Sequence, residues 1–139
     1  MTDEHKKPSN FDWVTARQQC SLQEVFEALR LGIREDVERR NSNLPGNRTP
    51  AAPILKIAER AKTIRVYWHD MYQQYAGLFV EFTLAAQTII VKDHDQVLFE
   101  AAIGLNDDGD CKVDIFGKQY DLWQTRRKAL EKLMFDVPL

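Results

Sequence analysis

Three short runs carry side chains that could do chemistry. Trp68-His69-Asp70 sets an imidazole beside a carboxylate, the pairing that a general base needs with the group that orients it. Asp93-His94-Asp95 packs three possible metal ligands into one turn. Asn106-Asp107-Asp108-Gly109-Asp110 adds more oxygens, as a calcium loop would. Each run also has a plainer reading. Neighbouring strand residues point to opposite faces, so His69 and Asp70 do not naturally meet, and His69 reads as a surface histidine at a strand end. The Asn106 run lacks the alternating ligand spacing of an EF-hand and its glutamate at position twelve. Acidic residues with glycine are what a tight hairpin requires. No metal site is expected.

Nucleophiles are scarce. Serine occurs only at Ser9, Ser21 and Ser42, and there is no G-x-S-x-G elbow. The six glycines are scattered and form neither G-x-G-x-x-G nor G-x-x-x-x-G-K-[ST]. Cys20 and Cys111 lie far apart, each beside an apolar run and neither with a second cysteine at metal-ligand spacing. They read as separate, buried, reduced thiols, with Cys111 inert on the core face of a strand. No catalytic set and no cofactor follow from these residues, so the chain reads as non-enzymatic.

Composition narrows the class further. At 139 residues the chain is expected to form one domain with a real core. A net charge of −2 supplies no overall attraction to nucleic acid or anionic lipid. The charge is uneven: 93–114 holds seven acidic residues and one lysine, while the last helix carries Arg126, Arg127, Lys128 and Lys132 against Glu131. Cations near a helix C-terminus complement its dipole, although Arg126 and Arg127 could instead meet phosphate or an acidic partner. Basic residues are not interleaved with aromatics, which argues against nucleic-acid binding. The polar start of the chain does not resemble a targeting segment, and no apolar run has transmembrane length. The expected location is cytoplasmic.

The elements that would position these residues are legible from periodicity. Residues 1–9 lack apolar anchors and read as a disordered tail, leaving 10–139 as a single domain. Phe11, Trp13 and Val14 suggest an arm docked on that domain. Ser21 as N-cap with Glu24 opens a helix running to about Asn41, with Leu22, Val25, Phe26, Leu29, Ile33 and Val37 on one stripe. Glu27, Arg30, Arg34, Glu35, Glu38 and Arg39 form its solvated side. Residues 41–53 read as a mobile loop. The segment 54–62 is ambiguous between a short helix and a first strand, and leans to strand because a two-turn helix alone is marginal.

A period of two then predicts strands over 63–69, 77–84, 88–92, 97–105 and 110–116. The Asn106 turn is a strong hairpin signal; Ala85-Ala86-Gln87 is a poor one; Phe116-Gly117-Lys118-Gln119 leaves the sheet. A last helix spans about 121–135, with Leu122, Trp123, Leu130, Leu133 and Met134 on its apolar stripe and Pro138 just beyond its end. The expected fold is α+β: an antiparallel meander of five or six strands, packed on one face by an N-terminal and a C-terminal helix.

Leu78, Val80, Phe82, Val97, Phe99, Val113 and Ile115 point to the core. The opposite face mixes Arg65, Lys92, Glu100, Lys112, Asp114 and His69 with apolar groups. An interaction surface of Tyr67, Phe79, Glu81, Ile90, Leu98 and Phe116 is expected there, since apolar groups ringed by polar ones mark contact sites. Its simplest use is a homodimer packing sheet to sheet, with Glu81, Glu100, Arg65 and Lys112 setting register; another protein partner is possible. The alternative is a small-molecule-binding or enzymatic cone with Tyr67, His69 and Glu81 as pocket groups. A third reading docks the basic last helix on an acidic partner.

Overall fold

A computed structural model describes residues 7–45, 49, 51–75 and 77–137. Helices α1 (Trp13–Gln19) and α2 (Leu22–Ser42) lead into seven strands. These are β1 (Ile54–Glu59), β2 (Thr63–His69), β3 (Phe79–Leu84), β4 (Ile89–Asp93), β5 (Gln96–Leu105), β6 (Cys111–Ile115) and β7 (Lys118–Tyr120). Helix α3 (Leu122–Phe135) closes the chain. The strands lie side by side in chain order, so the expected α+β meander is present with seven strands, not five or six. Part of the expected tail, part of the 41–53 loop, and Pro138 lie outside the described residues.

Helix α2 starts where its cap predicts: the Ser21 hydroxyl accepts the Glu24 N–H at 3.1 Å. Its stripe of Val25, Phe26, Leu29, Ile33 and Val37 is buried against the sheet. Burying one such side chain contributes roughly 1.5–3 kcal/mol, which a single isolated helix could not obtain. The same economy decides the ambiguous segment. As strand β1, Ile54–Glu59 pairs with β2 and buries Leu55. Trp68 and α3 lock the other side of the core, the indole donating to the Leu133 carbonyl at 2.8 Å.

Several local expectations are overturned. Val97 is not a core residue; it is 55% exposed. A β-bulge explains it: Lys92 pairs with Val97 and Val91 with Phe99, so Leu98 is an extra residue and the alternation slips by one. The 116–119 segment does not leave the sheet. Ile115 pairs with Lys118 across a two-residue turn in which Phe116 and Gly117 have φ of 53° and 80°, the hairpin type with both central residues left-handed. The signal was hidden because an aromatic occupies a position that usually goes to Asn or Gly. Trp123 does not join the apolar stripe of α3 and is 53% exposed. Trp13 and Val14 sit in α1 and are exposed, while Phe11 of the expected arm lies against Gly109. Gly109 has φ +81°, and a Cβ there would stand 2.7 Å from the Phe11 ring, so both backbone and space demand glycine.

Arg30 is not on a solvated side. It is buried, donates to the carbonyls of Arg60 (2.8 Å) and Ala61 (3.2 Å), and pairs with Glu59 at 3.2 Å. It thereby satisfies the β1–β2 turn from the helix layer. Arg34 makes a second pair to Glu59 at 2.8 Å.

The cysteines are not separate thiols. Cys20 and Cys111 form a disulfide with a Cα–Cα distance of 5.4 Å, closing a sequence separation of 91. The α1–α2 junction thus lies beside the start of β6. Lys7 reaches the same corner and donates to Asp110 at 2.9 Å.

Two consequences can be measured. Reduction, or Cys20→Ser with Cys111→Ser, should lower unfolding stability by about 2–4 kcal/mol in urea titrations; an unmoved midpoint would show that packing alone holds this corner. The Glu59 carboxyl lies below its usual range, chiefly through the Arg34 hydrogen bond, against an opposing effect of burial. Its stabilisation is present above the ordinary glutamate pKa of about 4.3 and is lost as pH falls through the lowered folded-state value. Stability should therefore decline on acidification below about pH 5, and Glu59→Gln should flatten that decline.

Candidate functional site

Helices α2 and α3 supply the core together with the inward residues of the strands, which leaves the other sheet face without a helix against it among the described residues. Cross-strand register assembles that face. Tyr67 stands opposite Phe79, and Arg65 opposite Glu81, on β2 and β3. The next strand sets Lys92 beside Glu81 and Ile90 beside Thr83, and β5 sets Glu100 beside Ile90.

The centre is tightly organised. Arg65 donates to Glu81 at 2.9 Å while its guanidinium lies 4.1 Å from the centre of the Phe79 ring. Cation–π contact and ion pair act on one side chain, which fixes Arg65 flat over the sheet. The edge of His94 meets Phe79 with ring centres 5.3 Å apart. Tyr67, Phe79, Glu81 and Ile90 are half-buried on this surface.

The expected interaction residues are therefore brought together unequally. Tyr67, Phe79 and Glu81 form one cluster, and Ile90 adjoins it on β4. Leu98 is exposed at the bulge, two strands from Phe79, and Val97 joins it there. Sequence reasoning missed Val97, because strict alternation assigned it to the core and a bulge has no distinct signature in this segment. Phe116 stands apart at the tip of the β6–β7 turn, 84% exposed.

The alternative pocket groups separate. Tyr67 and His69 line a hollow of about 170 Å³ with Trp68, Asp70 and Gln73, and Glu81 is not among its walls. That volume is below the roughly 300–1,000 Å³ of ordinary ligand sites. Asp70 is buried and turned to structural use: its carboxylate accepts the backbone N–H of Gln74 at 2.9 Å. No group of three or more His, Cys, Asp or Glu side chains converges as a metal site among the described residues. In the Asn106 turn, the Asn106 side-chain oxygen accepts the N–H groups of Asp108 (3.0 Å) and Asp110 (2.9 Å), which is hairpin chemistry.

The sheet edge at β1 is guarded. Leu55 turns its N–H and C=O away from β2, and the side-chain amide of Asn41 meets both at 3.0 Å. An amide that donates and accepts in this way stands in for a neighbouring strand and blunts a pairing edge.

No family model matches the chain, and no curated protein or solved structure shows a significant match to it. No helix of the described residues is long and apolar enough to cross a membrane.

Asn41→Ala should cost about 1–3 kcal/mol by leaving the Leu55 groups unpaired, and should raise the rate of aggregation followed by light scattering. Unchanged stability and aggregation would show that water serves that edge equally well.

Proposed function

We propose that this chain is a non-enzymatic protein-interaction or regulatory module that pairs with a second copy of itself through the outer sheet face. The observation that carries the reading is the Tyr67–Phe79–Arg65–Glu81 cluster on a face that no helix of the described residues covers. Two-fold pairing needs one self-complementary patch. This face carries the cations Arg65 and Lys92, with Lys112 held by Asp121, and the anions Glu81, Glu100 and Asp114 around its aromatic groups.

Phe116 adds support. A bulky side chain in the left-handed region costs roughly 1–2 kcal/mol that Asn or Gly would largely avoid. An exposed aromatic held there is a local cost that a contact would explain. The small-molecule alternative on Tyr67, His69 and Glu81 has weaker support, because Arg65 already engages Glu81 and the hollow beside His69 is small.

The cytoplasmic location expected from the sequence rested on the polar start of the chain and the lack of an apolar run of transmembrane length, with two reduced thiols consistent with it. The Cys20–Cys111 bridge weakens that support, since disulfides persist mainly in oxidising compartments. A thiol assay on protein isolated without reductant distinguishes them: two titratable thiols favour the cytoplasm, none an oxidising compartment.

Light scattering after size-exclusion chromatography tests the pairing. The expected species is a dimer that Phe79→Glu dissociates with its circular dichroism unchanged. Phe116→Asn should raise stability by up to about 1 kcal/mol while weakening association. A monomer at high concentration ends the proposal.

A further inference from the structure

A second surface lies on the helix layer. Trp123, Arg127, Glu131 and Phe135 recur every four residues along α3 and form a ridge. A hollow of about 400 Å³ opens on the α2 side of this ridge and one of about 830 Å³ on the Tyr120 side, and all four residues line both. Trp123 and Phe135 are the exposed aromatic ends, 53% and 64% accessible. Twelve helical residues separate them by about 18 Å.

The charge of this surface runs against that of the molecule. Six cationic and three acidic side chains line the two hollows, a local +3 on a chain of net −2. Arg39 makes an exposed pair with Glu35 at 3.7 Å, and the other five cations divide into two kinds. Arg126 and Arg40 are structural. Arg126 lies across α2 where Gly32 leaves room and pairs with Asp36 at 2.7 Å; Arg40 donates to the Met134 carbonyl at 2.9 Å and stacks 4.8 Å from the Phe135 ring centre. Among the described residues Arg127 pairs with Glu131 in an exposed i,i+4 contact, of a kind worth about 0.3–0.5 kcal/mol and easily exchanged. Lys128 rests over the Tyr120 ring at 5.5 Å, and Lys132 has no ion-pair partner among the described residues.

We propose that this α2–α3 surface docks an acidic segment of a partner protein that carries two apolar anchors. The hollows beside Trp123 and Phe135 take the anchors, and Arg127, Lys128 and Lys132 meet its carboxylates. Aromatic and arginine side chains around a concavity are the usual makings of a contact hot spot. A peptide fits better than an anionic membrane. A flat bilayer cannot fill these concave hollows, whereas a peptide side chain can enter them. The inference is independent of the outer sheet face, which lies on the other side of the sheet.

The test is selection of a displayed random dodecapeptide library on the full chain, followed by synthesis of the enriched peptide and anisotropy titration. Enriched sequences should combine several Asp or Glu with two separated apolar residues. Affinity should fall at least about fivefold between low and moderate salt, as screened charges weaken. Trp123→Ala, and separately Lys128→Glu with Lys132→Glu, should each weaken binding about tenfold or more. Both sites are surface positions, and circular dichroism checks the fold. Phe79→Glu should leave peptide binding unchanged. No enrichment, enrichment without acidic residues, or binding indifferent to the α3 variants overturns the proposal. So does binding to phosphatidylserine vesicles in place of peptide, or self-association that the α3 variants abolish.

Discussion

One contact organises this molecule: the stripe of α2 against the inward face of the sheet. Phe26, Leu29 and Ile33 are sealed between the strands and α3, and the strands meet them with Ile64, Val66, Val80, Phe82, Ile89 and Val91. A meander is a poor object alone, because one face of every strand is apolar and hydrogen bonding between strands does nothing to cover it. A single long helix laid on that face covers it with the fewest residues. The remaining features serve this contact. Arg30 ties α2 to the β1–β2 turn, Asn41 ties its end to the β1 edge, and Arg126 ties α3 to its middle.

A layer of helices on one side leaves two exposed surfaces of different character. The sheet face is mixed in charge and aromatic at its centre. The helix face is cationic, concave and aromatic at its ends. Buried titratable groups are engaged structurally: Asp70 closes a loop and Arg30 a turn.

The alternating pattern and the α2 stripe were legible because burial on one face imposes a period that survives in composition. The ambiguous 54–62 segment resolved toward strand for the same reason. Of the candidate surface, the Tyr67–Phe79–Glu81 core could be read from register alone. Val97 could not, because a one-residue bulge reverses the faces without changing residue types. Arg30 looked solvated because it shares a helical side with real surface charges. Its burial depends on where the β1–β2 turn arrives, which no local pattern encodes.

The sequence by itself determined the starts of α2 and α3, the strand periods, the Asn106 turn and the identity of the face that must be buried, but not the short helix α1. These follow from short-range physics: capping, turn chemistry and the two periods. Only the tertiary structure decided what lies between distant segments. It brought Cys20 to Cys111, seated Phe11 on Gly109, and satisfied the last carbonyls of α3 with Trp68 and Arg40. Those partners are 65 to 94 residues from the α3 carbonyls they meet. Such pairs depend on how whole elements stack, and the local residue pattern around each one is ordinary.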